Sequence, residues 1–222
     1  MARHKRVSPL RDEILKKACV LFLERGYTAT TIAAISKELD ISTGNLTYHF
    51  PTKEHLLLDI VNEMCSFQWK RSWKHIGKDA SPVLSYALEI AMQTALCEYD
   101  DIARDFYVSA YSHPLVLAEI RDWCSSKAKK QFLKYLPEWQ EVDYAFAGIH
   151  STGIQLAALL AECNEIVTLH GKIEDTAQSL LKLYNIPEEE YKDAVETVLK
   201  MDYVSMGKEM FNDFKKHIEN SD

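Results

Sequence analysis

Glycine and proline are scarce in this chain, seven and six among 222 residues. Long irregular loops and a many-stranded β fold both need more turn-forming residues than that, so the chain reads as helical. It has no run of roughly 18 apolar residues, so no segment is expected to span a membrane. The N-terminus, MARHKRVSPLRDE, is charged and lacks the apolar stretch of a secretory signal. The five cysteines, Cys19, Cys65, Cys97, Cys124 and Cys163, are odd in number, far apart and never in a C-x-x-C pair. That spacing suits reduced, mostly buried thiols in a cytosol rather than a redox sensor or a metal site. Also missing are H-E-x-x-H, the E-x-x-H repeats of di-iron bundles, G-x-S-x-G and glycine-rich phosphate loops. His49 and His55 straddle Pro51, so they do not share a helix face as metal ligands. No enzyme is expected, and nothing calls for a metal or a cofactor.

What is present is a large apolar fraction, 47%, enough for one sizeable core and a small satellite unit. The net charge of −7 is unevenly spread. Residues 1–53 carry nine basic and five acidic side chains, a net of +4, while the remainder carries 17 basic and 28 acidic, a net of −11. A basic head on an acidic body suits a polyanion at one end. Chance clustering of surface charge fits the same numbers.

The head reads as three helices. Ser8-Pro9 starts the first, with Leu10, Ile14, Ala18, Leu21 and Phe22 at helical spacing and Gly26 as its end. A second opens at Thr30-Thr31 and buries Ile32, Ile35, Ser36 and Leu39. After a turn at Asp40-Ile41, Ser42 caps a third, which Pro51 closes, and Thr52 caps a fourth. Two short helices so close together form a helix-turn-helix. At 100° per residue, Leu46 and Phe50 point into the core, while Gly44, Asn45, Thr47 and Tyr48 point out. An outer face of hydrogen-bonding and aromatic groups, with a glycine that permits close backbone approach, suits the DNA major groove. The alternative is an ordinary solvated face.

The stretch ILKKACVLFLERGYTATTIAAISKELDISTGNLTYHFPTKEHLLLDI resembles the N-terminal domain of the tetracycline-repressor (TetR) family of bacterial transcription regulators. The resemblance covers about residues 10 to 62. It rests on Phe22, Gly26, Thr30-Thr31-Ile32, Ile35, Leu39, Ile41-Ser42, Gly44-Asn45-Leu46, Tyr48-His49-Phe50 and Thr52-Lys53-Glu54. It implies that Thr31 holds a phosphate and that Thr43 and Gly44 meet base edges. Asn45 would bond an adenine edge or a phosphate, Tyr48 and His49 would pack on or bond to the DNA backbone, and Lys53 would clamp a phosphate. Thr47 belongs to the same outward set. Three positions depart from the family pattern: Thr43, where Lys is frequent, Thr47, usually aromatic, and Asp40, usually Gly. The first two leave the operator sequence open. The third is mild, since Asp tolerates left-handed geometry.

The expectation is an all-α protein, with a helix-turn-helix DNA-binding domain over residues 1–52 and a helical ligand-binding and dimerisation domain over 53–222. A long helix is expected over 53–75, then about six more, with breaks at Gly77 to Pro82, Asp100-Asp101, His113-Pro114, Pro137, Gly171 and Asn185 to Pro187. Asp143–Cys163 is rich in small residues. Glu188–Ile218 reads as one helix with a stripe at Val195, Leu199, Tyr203, Met206 and Met210. Pairing both with their copies would make a four-helix homodimer interface. The alternative is burial within one chain. The resemblance also implies a small-molecule pocket in the body. Its candidate lining is Trp69, Trp73, Gln93, Tyr107, Tyr111, Trp123, Phe146 and His150, although each aromatic also fits a plain core. The function expected is a ligand-responsive transcriptional regulator, most simply a repressor that binds a palindromic double-stranded DNA operator as a homodimer and is released by a small-molecule effector. The alternative is an architectural or partner-recruiting DNA-binding protein without an inducer.

Overall fold

The structure is a computed structural model that describes residues 8–71, 74–77 and 79–220. It is all-helical, with no strand among the described residues. The head is α1 (Pro9–Arg25), α2 (Ile32–Glu38) and α3 (Thr43–His49). The body is built from α4 (Lys53–Arg71), α5 (Pro82–Tyr99), α6 (Asp101–Ser112), α7 (Pro114–Phe132), α8 (Glu141–Leu160), α9 (Leu169–Leu183), α10 (Glu188–Leu199) and α11 (Tyr203–Glu219). No described helix is long and apolar enough to cross a membrane.

Side-chain caps set most of the starts. The hydroxyls of Thr31, Ser42, Ser81 and Thr168 each accept the N–H three residues on, as does the Asp202 carboxylate. Pro stands at the first turn of α1, α5 and α7, where its missing N–H costs nothing. Gly26 ends α1 at φ 88°, and Asp40 makes the α2–α3 turn at φ 53°, the left-handed geometry expected of it.

The body is organised around α5, whose buried residues run through Val83, Ala87, Leu88, Ala91, Ala95 and Leu96. A helix apolar on nearly every side belongs in the interior, and α5 packs against α6, α9, α10 and α11. Its only charged residues, Glu89 and Glu98, each find a lysine: Lys127 from α7, and Lys172 from α9 at 2.6 Å. A carboxylate on a buried helix needs such a partner. Lys172 also donates to the Ala161 carbonyl at 2.9 Å and so ties the α8–α9 loop to the core.

Several expected helix limits change. The helix expected over 53–75 ends at Arg71. The stretch from Glu188 to Ile218 is not one helix: it breaks between Leu199 and Tyr203, and Asp202 caps α11 through the Ser205 N–H at 3.1 Å. The break turns the supposed outward stripe inward. Val195 and Met210 are buried within the chain, and Gly207 lies directly on the α5 backbone. The break expected at Gly171 falls earlier, over residues 161–168, where the Asn164 side chain accepts the N–H groups of Ile166 and Val167 at 2.8 Å each. Gly171 stands inside the first turn of α9, its N–H donating to the Thr168 hydroxyl at 3.1 Å.

The small residues of α8 divide between two faces. Ala147, Gly148, Ser151 and Thr152 are buried, and a Cβ on Gly148 would meet the Arg121 carbonyl of α7 at 2.9 Å. The other face, with Val142, Phe146, Ile149 and Leu160, is exposed.

Gly207 supplies a test of the α5–α11 contact. A Cβ there would stand 2.7 Å from the Met92 carbonyl oxygen, which is backbone and cannot swing aside. Gly207→Ala is expected to lower stability by about 1–3 kcal/mol in denaturant unfolding, the usual cost of overpacking. An unchanged midpoint would mean that the two helices are not so close.

Candidate nucleic-acid interface and ligand cavity

The third helix is held to the head by very little. Leu46 is fully buried and Phe50, just beyond its end, nearly so. Phe50 also receives the Arg11 guanidinium over its ring at 4.5 Å, and Arg11 is paired in turn with Asp59 of α4. Apart from the half-buried His49, the rest of α3 faces outward. Thr43, Gly44, Asn45, Thr47 and Tyr48 are exposed, Tyr48 at 84%, while His49 is half-buried with its ring edge-on to Tyr48 at 5.2 Å. Thr47 turns its hydroxyl back to the Gly44 carbonyl at 3.2 Å.

Gly44 has no positive φ, and a Cβ on it would meet nothing nearer than the Ser42 hydroxyl at 3.9 Å. No contact inside the protein demands a glycine at this point. Thr31 is exposed at the start of α2, and its oxygen accepts the Ala34 N–H at 3.1 Å. Its own proton remains free to donate, next to the positive end of the helix.

Lys53 is placed differently from a free phosphate clamp. Its ammonium donates to the carbonyls of Tyr27 at 2.9 Å and Thr30 at 3.0 Å, and stands 3.9 Å from the centre of the Tyr27 ring. Burial pushes its pKa down from the ordinary lysine value. Two of its three N–H donors are therefore occupied, and one remains. The same turn is held from other sides. The Tyr27 hydroxyl donates to Glu54 at 3.3 Å, Thr28 gives its N–H to Asp105 of α6 at 2.8 Å, and its hydroxyl bonds the other oxygen of that carboxylate. Residues 26–30 thus join α1, α2, α4 and α6 at one point.

In the body a cavity of about 80 Å³ lies between α4, α5, α6 and α7, with Gln155 of α8 at its edge. Trp69, Gln93, Tyr107, Tyr111 and Trp123 line it. Phe146 and His150 do not: both project from the exposed face of α8, the side away from α7. Trp73 lies outside the described residues. Residues not anticipated as lining include Gln68, Tyr86, Glu89, Lys127, Cys65 and Cys124. Burial pushes the Cys65 thiol up to about 12 and raises that of Cys124, so both are protonated and unreactive at neutral pH. The Trp123 ring N–H donates to Asn62 of α4 at 2.8 Å, and Tyr111 gives its proton to Gln155 at 2.9 Å. No group of three or more histidine, cysteine or acidic side chains able to hold a metal occurs among the described residues.

An all-helical chain with a three-helix head and a nearly unanchored third helix is a helix-turn-helix protein. Residues 14–60 match the family described as "Bacterial regulatory proteins, tetR family". The HTH-type transcriptional regulator QacR of Staphylococcus aureus is 49% identical over 65 residues, 29% of this chain and 34% of QacR. The HTH-type transcriptional repressor KstR2 of Mycolicibacterium smegmatis is 30% identical over 73 residues, 33% of this chain and 36% of KstR2. The chain thus spans about a third of the length of these curated relatives. Over 86% of this chain and 93% of RolR, the fold matches the crystal structure of RolR with its ligand resorcinol at a TM-score of 0.61 and 18% identity. That likeness is one of fold. Residues 14–60 are thus similar to the N-terminal domain of tetR-family regulators, and the chain as a whole shares its all-helical fold with RolR.

The Lys53 contacts yield a test of the head. Lys53→Ala removes two charge-assisted hydrogen bonds to buried turn carbonyls and is expected to lower stability by about 1–3 kcal/mol. Urea unfolding measures it. A midpoint equal to that of the parent would make Lys53 a surface group with no structural part.

Proposed function

We propose that the protein is a cytoplasmic, dimeric transcriptional regulator that binds a two-fold symmetric DNA operator through α3 and leaves it when a small molecule fills the cavity. The observation that carries this reading is the outer face of α3, polar, aromatic and free of any duty inside the chain. In this reading Thr43 and Gly44 approach base edges, and Asn45 reads an adenine edge or a phosphate. Thr47, Tyr48 and His49 lie along the DNA backbone. Thr31, with the N-terminus of α2, holds a phosphate, and so does the remaining N–H of Lys53. The regulator acts as a repressor.

The second copy fits the exposed face of α8. Val142, Phe146, Ile149 and Leu160 are each at least 43% exposed, with Ala145, Gly153 and Ala157 beside them. A contiguous apolar surface of this kind on a charged protein supports an interface. This replaces α11 in the expected pairing: α8 keeps its part, and α9, packed alongside it, takes the other.

The cavity supports the effector over the ligand-free alternative. Its walls include Phe106, Tyr107, Ala110 and Tyr111 of α6. Asp105, one residue before that run, holds the α1–α2 turn through Thr28. A molecule that pushes α6 outward therefore pulls on the head directly, and one that pushes α4 moves Lys53 and Glu54. Both heads of a dimer must fit successive major grooves, roughly 34 Å apart along the duplex. A small shift breaks that fit, and a preference of about 1–3 kcal/mol for the released form weakens DNA binding some 5- to 150-fold.

The functional reading is tested by passing fragments of the source genome over the immobilised protein. Retained fragments are expected to share one symmetric sequence, and indiscriminate retention would contradict the reading. The dimer face is tested with Phe146→Glu together with Ile149→Glu, which would bury like charges at the symmetry axis. Sedimentation is expected to give monomers with unchanged helicity and lost operator retention. A double variant that remains dimeric would move the interface elsewhere.

A further inference from the structure

The cavity between α4, α5, α6 and α7 carries information about what it binds. Its donors and charges are unequally satisfied. Glu89 and Lys127 face each other across it as a salt bridge that links α5 to α7, so the site as built is electrically balanced. An anion would have to draw Lys127 off Glu89, and a cation would have to draw Glu89 off Lys127. Either leaves a charge uncompensated in a mostly apolar site, which is strongly unfavourable.

Hydrogen-bond donors, in contrast, are left over. The side-chain nitrogen of Gln93 is buried without a well-formed hydrogen bond: it stands beside the Tyr111 hydroxyl, and its amide has a second N–H to give. The Tyr107 oxygen accepts from the Gln68 amide at 3.0 Å, but the Tyr107 proton meets no acceptor among the described residues. Burial holds that hydroxyl in its protonated, donating form. A buried donor without a partner costs about 1–3 kcal/mol, so two facing one cavity favour a bound acceptor. The rest of the lining is aromatic: Trp69, Tyr86, Phe106 and Trp123. The open space, about 80 Å³, is about half the roughly 150 Å³ of an apolar cavity that holds benzene, so the occupant is a single ring at most and its entry pushes the walls outward, the displacement the effector reading requires.

We infer that the cavity takes a compact, neutral aromatic compound carrying a carbonyl-type oxygen, with Gln93 and Tyr107 donating to that oxygen and the Glu89–Lys127 pair excluding charged analogues. The inference rests on the effector reading given above and adds the chemical class to it. The aromatic walls supply area and ring contacts but tolerate many shapes. The two donors decide between molecules of equal shape, because an analogue without the oxygen leaves both unpartnered.

Isothermal titration calorimetry of the free, full-length protein tests this without DNA. Four probes serve: acetophenone, α-methylstyrene (the same shape with a methylene in place of the oxygen), benzoate and benzylammonium. Acetophenone is expected to bind about tenfold more tightly than α-methylstyrene, the usual effect of one or two neutral hydrogen bonds. Benzoate and benzylammonium are expected not to bind. Gln93→Leu and Tyr107→Phe should each bring the ratio of the two neutral probes towards one and keep α-methylstyrene binding, which also reports that the variant has folded. The inference is overturned by a ratio near one in the parent, by an unchanged ratio in both variants, by tighter binding of either ion, or by no binding of either neutral probe. If DNA selection succeeds and the calorimetry fails, the ligand class is wrong and the regulator reading stands. Acetophenone binding by a protein that selects no DNA supports the class and removes the regulator reading.

Discussion

The third helix of the head is fixed by two side chains, Leu46 and Phe50, and the rest of the molecule answers to that economy. A helix of seven residues has too few hydrogen bonds to persist alone, so its neighbours must hold it. Leu46 fills the three-helix core, Phe50 is covered by Arg11, and the Ser42 hydroxyl satisfies an N–H of the first turn. Those contacts occupy one side of α3 and one end. The opposite side is left without any intramolecular role, and that freedom is what a recognition surface requires.

A surface held by so few contacts is also easily moved, and the head is attached to the body where movement matters. The turn over residues 26–30 accepts two hydrogen bonds from Lys53 of α4 and gives two to Asp105 of α6. The Glu24–Lys215 pair adds a link from α1 to α11. Both α4 and α6 continue into the cavity wall, α4 through Trp69 and α6 through Tyr107 and Tyr111. At the far end of α4, Arg71 and Lys74 bond Asp213 of α11 at 3.0 and 2.7 Å, on the surface where such pairs are weak. The partly buried connection is therefore the one Lys53 makes to the turn, close to the side chains that would touch phosphates.

The head was legible in the sequence because its signals are local. Caps at Thr31 and Ser42, a glycine at 26 and alternating burial at 46 and 50 need only a helical wheel to read. The body resisted for identifiable reasons. The break before α11 carries neither glycine nor proline, and its one signal is Asp202, a cap that looks like an ordinary charged residue within a helix. Gly171 gave the opposite error, a glycine inside a first turn that resembled a stop. Along α8 both faces are apolar, so periodicity could not decide whether Phe146 or Ala147 faces the core. The Glu89–Lys127 pair and the Asp105–Thr28 contact join residues far apart in the chain, and no spacing rule reaches them.

Gly44 shows most directly whether the outer side of α3 is reserved for DNA. A methyl group there enters open space in the protein and replaces a glycine within a helix, which favours the folded state by up to about 1 kcal/mol. The measurement is thermal unfolding of Gly44→Ala beside its affinity for the selected operator. An unchanged or raised melting temperature, with operator affinity reduced by about tenfold or more, is the predicted pair of results. A variant that binds the operator as tightly as the parent would contradict the account, because the side of α3 that it alters would then not be the one that meets the DNA.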